Sequence, residues 1–344
     1  MRDNTMQDTA AFYTGKKDIA VTGYTPDPPQ PYEVQVRPAF SGICGTDLHI
    51  FNGAMDQRVE LPHIMGHEMS GAVSAIGENV ADLEIGQPVT VMPLAPCGKC
   101  RACVDGLSHI CYHLQFLGID TPGSFQSYWN VPAHSIHLLP RTASLSHAAL
   151  IEPIAVACHD VRLGEVQEGD KVVVLGCGPI GMLIALVAKE NGAEVVVSEI
   201  NRFRLDLASS LGFNVINPTE DDLIQYVNNW TDGSGADRVF EVSGSTAGAE
   251  VMTDLVCVRG AVVVVAIFGQ PPPVDLFRCF WREIKIIGVR VYETCDFSQA
   301  IRLVDEGSLP LDKLISDIRP MHKLPESFRE MSEGADLMKV LIEV

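Results

Sequence analysis

The sequence predicts an α/β protein with two domains, an antiparallel β-barrel and a doubly wound parallel sheet. First, 344 residues suit two domains of roughly 150 residues each. Second, short runs rich in valine and isoleucine alternate with glycine and proline turns in the first part of the chain, which is typical of antiparallel strands. Third, buried strands then alternate with helices, which indicates right-handed βαβ units on a parallel sheet.

The overall charge is strongly acidic, since 44 Asp and Glu residues against 25 Lys and Arg residues give a net charge of −19. Such a charge repels phosphate backbones and anionic lipid surfaces, which argues against nucleic-acid and peripheral membrane binding. The longest apolar run, Ala261–Phe268, has the length of a buried strand and not the ~18 residues of a membrane span. The first residues are polar and of mixed charge, unlike a signal peptide, so we expect a cytoplasmic protein.

The strands of the first domain are expected to be short. The runs Asp18–Thr22 and Tyr32–Val36 flank a proline-rich stretch, and further Val/Ile-rich runs follow between residues 68 and 93. Glycines 71, 77 and 86 interrupt these runs and predict turns.

Four of the ten cysteines form a cluster in the first domain: Cys97, Cys100, Cys103 and Cys111. Two-residue gaps allow one turn of backbone to aim two thiolates at one ion, and four thiolates close a tetrahedral shell, which favours structural zinc. An iron–sulfur cluster or free thiols are the alternatives; ferredoxin-like runs place the fourth cysteine closer and follow it with proline. Because the chain is acidic and has no basic stripe, a nucleic-acid-binding zinc ribbon is disfavoured.

The second domain is expected to alternate strands and helices along the chain. The predicted strands are Lys171–Leu175, Val195–Ser198, Asn214–Ile216, Arg238–Val242, Ala261–Ala266 and Ile284–Val289. The predicted helices are Pro179–Asn191, with Gly192 just past its end, and Arg202–Leu211. Two more helices, Asp296–Glu306 and Lys323–Gly334, and a strand, Met338–Val344, complete the chain.

A glycine-rich loop lies between the first strand and the first helix of the second domain. Gly176, Gly178 and Gly181 have the GxGxxG spacing that lets a pyrophosphate approach the backbone at a helix N-terminus. Glu199 ends the next strand, where a carboxylate accepts the ribose hydroxyls and repels a 2′-phosphate, so NAD is favoured. NADP remains the alternative, because Arg202 and Arg204 lie close to Glu199 in sequence.

Four further potential metal ligands are spread along the chain: Cys44, His67, Glu68 and Glu152. Cys44 lies in a glycine-flanked loop, His67 and Glu68 follow Gly66, and Glu152 precedes a proline. Catalytic zinc takes three protein ligands and keeps one position open. Taken singly, however, these residues are equally consistent with a buried thiol, a core histidine and a surface charge.

The order of these motifs resembles the zinc-dependent medium-chain dehydrogenase/reductase family, in its polyol (sorbitol) dehydrogenase branch. The resemblance covers essentially the whole chain. It implies a GroES-like β-barrel catalytic domain over residues 1–154 and 291–344, with a structural zinc lobe at about 94–114. It also implies a Rossmann NAD-binding domain over residues 155–290 and a homo-oligomer, either a dimer or a tetramer.

The resemblance also implies roles for individual residues. Cys44, His67 and Glu68 match catalytic zinc ligands, and Glu152 matches a glutamate that exchanges with Glu68. Thr46 matches the hydroxyl that takes the substrate proton, and His49 the imidazole that passes it to solvent. The positions that match cofactor contacts are Gly176, Gly178, Ile180, Gly181, Glu199 and Arg204. Cys97, Cys100, Cys103 and Cys111 match the structural zinc ligands.

The expected activity is therefore hydride transfer from a secondary alcohol of a polyol or sugar acid to NAD, with two zinc ions per chain. An L-threonine 3-dehydrogenase-like or short-diol dehydrogenase is the alternative. Arg290 stands one position away from the substrate-contacting arginine of sorbitol-type enzymes, and Ile50 stands where they frequently have tyrosine. These departures predict a substrate other than sorbitol. A non-catalytic relative is disfavoured, because every ligand and relay residue is present.

Overall fold

The computed structural model describes residues 8–344, whose contacts divide the chain into two units. The first unit contains the residues up to Glu152 together with Ala300–Val344, and the second is Pro153–Gln299. The predicted return to the first domain lies after residue 290, whereas this division falls inside a continuous helix, Thr294–Glu306.

The first unit begins with ten short strands and three short helices. The strands are β1 (Thr9–Gly15), β2 (Asp18–Gly23), β3 (Glu33–Gly42), β4 (His63–Ile64), β5 (Glu68–Ile76), β6 (Pro88–Val91), β7 (Leu94–Ala95), β8 (Gln115–Phe116), β9 (Trp129–Pro132) and β10 (Ile136–Leu138). The helices are α1 (Gly45–Phe51), α2 (Arg101–Val104) and α3 (Leu145–Ala148).

The longest of these strands, β3, organises the main sheet of the first unit. It pairs antiparallel with β5 and with β9, and its inward side chains pack with those of β5, β6 and β9 in one apolar cluster around Val34, Val36 and Trp129. In this register Gly42 faces Glu68. The end of β3, just before Cys44, therefore lies beside the start of β5, just after His67.

The second unit contains the elements expected of a doubly wound sheet. Its strands are β11 (Lys171–Leu175), β12 (Glu194–Ser198), β13 (Asn214–Ile216), β14 (Ala236–Glu241), β15 (Val256–Val264) and β16 (Lys285–Gly288). Its helices are α4 (Ile151–Leu163), α5 (Pro179–Glu190), α6 (Arg202–Ser210), α7 (Leu223–Trp230), α8 (Thr246–Leu255), α9 (Leu276–Arg282) and α10 (Thr294–Glu306), of which α4 and α10 extend into the first unit.

All six strands of the second unit are parallel, in the order β13-β12-β11-β14-β15-β16. This order reverses beside β11, and the sheet confirms the predicted α/β fold class. Strand β15 begins at Val256, five residues before the predicted start, because Ala236 pairs with Val256 whereas Arg238 pairs with Ala261. The intervening residues form an irregularity, where Arg259 has φ 59°.

The chain then returns to the first unit with α11 (Leu311–Leu314), β17 (Ile315–Pro320), α12 (Leu324–Ser332) and β18 (Lys339–Glu343). Strand β18 pairs antiparallel with the end of β3 and parallel with β17. The main sheet of the first unit, in the order β10-β6-β5-β3-β18-β17, is therefore completed by residues that follow the second unit in sequence.

The surface of the second unit carries an exposed apolar face beside the edge strand β16. Four side chains of α9, those of Leu276, Phe277, Phe280 and Trp281, are each about 70% exposed. The rings of Phe277 and Trp281 stack with centroids 6.1 Å apart. Across residues 8–344, none of the helices has the length and apolarity needed to span a membrane.

Candidate active site

Three of the predicted metal ligands meet in the first unit. Cys44 is the N-cap of α1, His67 immediately precedes β5, and Glu68 is its first residue. The Cys44 sulfur, one His67 ring nitrogen and one Glu68 carboxylate oxygen all lie within 4.8 Å of one another. His67 and Glu68 are almost fully buried, and Cys44 is partly exposed. The pairing of β3 with β5 therefore brings together residues that are separated in sequence.

Asp47 lies beside two of these ligands. Its Oδ2 accepts a hydrogen bond from the Cys44 backbone N–H at 3.0 Å, and its Oδ1 lies 3.5 Å from His67 Nδ1. When a carboxylate accepts a hydrogen bond from one ring nitrogen of a histidine, the tautomer is fixed and the other ring nitrogen is free to bind a metal. No role was predicted for Asp47 from the sequence, although a short acidic residue at the third helical position after Cys44 is a capping-box signal.

Lys339 is a second residue whose role was not predicted. Its side chain is almost completely buried, and its Nζ donates hydrogen bonds to both Glu68 oxygens, at 2.9 and 2.6 Å, and to the Ile43 carbonyl at 3.1 Å. Burial alone would lower the pKa of Lys339, but the negative charges of Glu68, Cys44 and Glu152 raise it above its usual value. Lys339 therefore contributes a positive charge at the ligand cluster.

The remaining predicted residues of this site lie near the cluster but outside it. Glu152 is buried in the first turn of α4 and interacts electrostatically with Lys339, yet it is not one of the three clustered ligands. Thr46 and His49 are both on α1, three residues apart, and His49 is exposed. The Thr46 backbone N–H points to the Cys44 sulfur at 3.5 Å. Helix α1 therefore carries both predicted relay residues directly beyond a ligand.

The cluster suits a divalent metal ion. One thiolate, one imidazole and one carboxylate are a donor set that zinc accepts while keeping an open position. Burial tends to lower the pKa of His67, but the negative charges of Asp47 and Cys44 outweigh it and raise the pKa well above its usual value. A cation bound between Cys44 and His67 would be stabilised by the same negative potential.

The four clustered cysteines also converge, in a lobe formed by β7, β8 and α2. Cys97, Cys100, Cys103 and Cys111 have sulfur atoms that all lie within 4.8 Å of one another. The Cys100 sulfur is 3.5 Å from that of Cys103 and 3.7 Å from that of Cys111, close to the ~3.8 Å edge of a tetrahedron with Zn–S bonds of about 2.3 Å. Backbone N–H groups of Cys103 and Tyr112 lower the pKa of Cys100 to about 6. The lobe therefore has the geometry of a closed thiolate site.

The glycine loop of the second unit has close backbone approaches that leave no room for a Cβ at two of its glycines. Gly176 has φ 89°, and a Cβ there would approach the Ser243 backbone to 2.8 Å. A Cβ on Gly181 would overlap the Gly176 carbonyl, so this glycine lets α5 pack against β11. Gly178 caps α5 with no side-chain hydrogen bond, which leaves the N–H groups of the first turn, including that of Ile180, available to an anion.

Glu199 is buried at the end of β12, directly beside the glycine loop. Its Oε2 accepts a hydrogen bond from the Cys177 N–H at 2.8 Å, and its Oε1 accepts from the N–H groups of Ile200 and Asn201. Arg204 lies 3.8 Å from the same carboxylate and near Gly178. A carboxylate flanked by one arginine therefore lies at the end of β12, beside the glycine loop.

Comparison with known proteins agrees with both units. Residues 30–141 match the alcohol dehydrogenase GroES-like domain, and residues 179–306 match the zinc-binding dehydrogenase family. The chain is 47% identical over 334 residues to 2-dehydro-3-deoxy-L-galactonate 5-dehydrogenase of Pseudoalteromonas atlantica, covering 97% of this chain and 98% of that protein. It is 36% identical to L-threonine 3-dehydrogenase of Pyrococcus horikoshii, covering 89% and 90%.

Among solved structures, galactitol-1-phosphate dehydrogenase of Escherichia coli is similar, with a TM-score of 0.92 and 26% identity over 98% of this chain and 100% of that chain. The chain therefore belongs to the zinc-dependent medium-chain dehydrogenase family, in the branch that includes polyol dehydrogenases. It is a zinc-binding dehydrogenase with a GroES-like domain and a Rossmann domain. The predicted family and fold class are confirmed.

Proposed function

We propose that this protein oxidises a secondary alcohol of a sugar acid, with NAD as the hydride acceptor and one catalytic and one structural zinc ion per chain. The observation that carries the proposal is the buried cluster of Cys44, His67 and Glu68, which offers three ligands where the four-cysteine lobe offers four. A sugar acid is favoured over a simple polyol because the relative at 47% identity is named for a sugar-acid substrate.

The zinc at this cluster would bind the substrate hydroxyl and lower its pKa, as it does for bound water. The chain's own residues prepare that position. Asp47 keeps His67 oriented, and the N–H of Thr46 supports the Cys44 thiolate. Because Cys44 is the N-cap of α1, the first turn of the helix follows directly after this ligand. The ligands are therefore held in position before the substrate binds.

Thr46 and His49 would carry the substrate proton away. An alcohol loses hydride readily only once it has become alkoxide-like, so the proton has to leave before or during hydride transfer. The Thr46 hydroxyl lies two residues after Cys44, and His49 lies one helical turn later on an exposed position. Both residues belong to the helix that begins directly after the ligand Cys44, and the second of them is exposed to solvent.

Replacing His49 tests this relay. We expect His49→Gln to lower kcat about a hundredfold near neutral pH, because a positioned acid–base group contributes about 10²–10⁴ in rate. The loss should shrink at alkaline pH, where hydroxide takes the proton directly. The measurement is kcat against pH for both proteins, with exposed His322→Gln as the control. Parallel pH profiles for His49→Gln and the unaltered protein would contradict the relay.

The position of Glu199 supports NAD over NADP. A carboxylate that already accepts three backbone hydrogen bonds is held rigidly, and its charge would repel a 2′-phosphate. Arg204 lies within ion-pair distance of Glu199, so the positive charge of Arg204 is partly neutralised. We therefore expect the carboxylate to have a larger effect on the choice of cofactor than the arginine.

A substrate screen tests the proposed function as a whole. Zinc-loaded protein is assayed with aldonates, 3-deoxy sugar acids, polyols, L-threonine and 2,3-butanediol, each with NAD and with NADP. We expect turnover on a sugar acid with NAD. Turnover on threonine or butanediol alone would support the alternative dehydrogenase, and a preference for NADP would refute the role of Glu199. Zinc content, measured in parallel, should be two ions per chain.

We also propose that the protein is a homo-oligomer that uses the exposed face of α9 and the edge strand β16. An edge strand with unpaired backbone groups can pair with a second copy, and exposed aromatic side chains are enriched at such interfaces. Light scattering should give a mass of two or four chains. Replacing Phe280 with Glu is expected to shift that mass towards one chain, and a single-chain mass for the unaltered protein would contradict the proposal.

A further inference from the structure

Lys339 forms hydrogen bonds with the carboxylate of Glu68, which is also a candidate metal ligand. Its ammonium group is in hydrogen-bond distance of both Glu68 oxygens, and its third hydrogen bond goes to the carbonyl of Ile43, the residue before Cys44. Lys339 and Glu68 are 3% and 1% exposed. Because two buried charges in contact lose their hydration, each depends on the other or on another charge for compensation.

The position of this ion pair is fixed by the strands. Glu68 faces Gly42 across β3 and β5, and a Cβ at residue 42 would overlap the Glu68 carboxylate. Strand β18 begins at Lys339 and pairs with the same end of β3. Gly42 leaves space for the Glu68 carboxylate, and β18 positions the Lys339 ammonium group beside it.

Lys339 reduces an excess of negative charge at the site. Cys44 as a thiolate, Asp47, Glu68 and Glu152 contribute four negative charges, and His67 would be a neutral ligand. A divalent metal ion would contribute two positive charges and Lys339 contributes a third, which leaves one negative charge in excess. Without Lys339 the excess would be two, and Glu68 would direct its whole charge to the metal.

We propose that Lys339 is a positioning residue that shares the Glu68 carboxylate with the metal ion and so keeps Glu68 a weak, exchangeable ligand. A carboxylate oxygen has more than one lone pair, so Glu68 can accept from Lys339 and still approach the metal. The ammonium group also repels the metal dication. Lys339 thereby limits the affinity of the site for zinc and keeps one coordination position available. The inference rests on the proposed function only for the presence of the catalytic zinc.

Metal release from the zinc-loaded protein tests this role. We expect Lys339→Met to release the catalytic zinc to a chromophoric chelator about ten- to a hundredfold more slowly, since a charge-assisted hydrogen bond no longer competes for Glu68. Loss of an ordinary supporting contact would have the opposite effect and weaken metal binding. The zinc of the four-cysteine lobe serves as an internal reference, and its release should not change.

Cobalt substitution provides a second readout. With Co²⁺ in the catalytic site, the visible absorption reports the ligand set, and Lys339→Met should change it as Glu68 binds fully. The variant should also lower kcat, because a fuller shell leaves less room for substrate. Lys339→Arg keeps the charge and should restore both the spectrum and the release rate towards those of the unaltered protein.

The matched control is Lys171→Met. Lys171 is also the first residue of a strand and donates to a backbone carbonyl, but it lies in the second unit. Release from Lys339→Met that is unchanged or faster would overturn the inference. If Lys339→Met does not fold, Lys339→Gln, which removes the charge but keeps a donor, carries the same expectation. If the unaltered protein holds zinc only in the four-cysteine lobe, the proposed function fails instead.

Discussion

Replacing Cys44 with serine is expected to remove one zinc ion per chain and to lower turnover at least about a thousandfold. Among the three clustered ligands Cys44, His67 and Glu68, only Cys44 offers a sulfur atom. A serine hydroxyl is a much weaker zinc ligand than a thiolate, and metal stabilisation of developing charge contributes several kcal/mol. A loss of about 4 kcal/mol corresponds to a thousandfold in rate.

Zinc analysis and steady-state kinetics with the substrate found in the screen measure both effects. The coenzyme should still bind, because the glycine loop lies in the other unit. Cys295→Ser is the matched control, since Cys295 is exposed and lies outside both cysteine-containing clusters. A Cys44→Ser protein that keeps two zinc ions and near-normal turnover would refute the assignment of the catalytic site.

Replacing Cys100 with serine is expected to remove the other zinc ion and to unfold the lobe that contains it. The lobe is held together by little else: β7 and β8 have two residues each, and α2 has four. Structural zinc contributes about 10–16 kcal/mol to the folding of small zinc peptides, which is comparable with the total stability of about 5–15 kcal/mol of a whole domain. A metal ion bound to the four cysteines would therefore supply most of the local stability.

Limited trypsin digestion measures this unfolding directly, because Lys99 and Arg101 lie inside the lobe. Cleavage there should become fast in Cys100→Ser, and the melting temperature should fall. Cys257→Ser, a half-buried cysteine outside the lobe, should behave like the unaltered protein. The role of the lobe would be wrong if Cys100→Ser kept two zinc ions and resisted trypsin. The Cys44 and Cys100 variants together assign each zinc to its site.

The elements that sequence predicted best are those whose residues are neighbours in the chain. The glycine loop, the strand before it and the helix after it lie within twenty residues, so their pattern is visible without tertiary information. The four cysteines are likewise local. The predicted helix ending at Asn191 is found as α5, with Asn191 as its C-cap and Gly192 at φ 86° beyond it.

The roles of Asp47 and Lys339 depend on contacts that a sequence does not display. Lys339 lies 271 residues from Glu68, and the two meet only because β18 pairs with β3. A lysine at the start of an apolar strand is usually a solvated edge residue, so composition gave no reason to bury it. Asp47 has the spacing from Cys44 that is typical of a helix-capping residue, but its approach to His67 requires β5 to lie against the end of β3.

The first unit is built from two chain segments that are synthesised before and after the second unit. Glu68 is translated before the whole second unit, whereas Lys339 is translated after it. Because domains generally fold in the order of synthesis, the dinucleotide-binding unit can be complete while the catalytic sheet still has no β18. During that interval Glu68 has no ammonium partner. Translation therefore supplies the three predicted metal ligands first and the positive charge that pairs with Glu68 last.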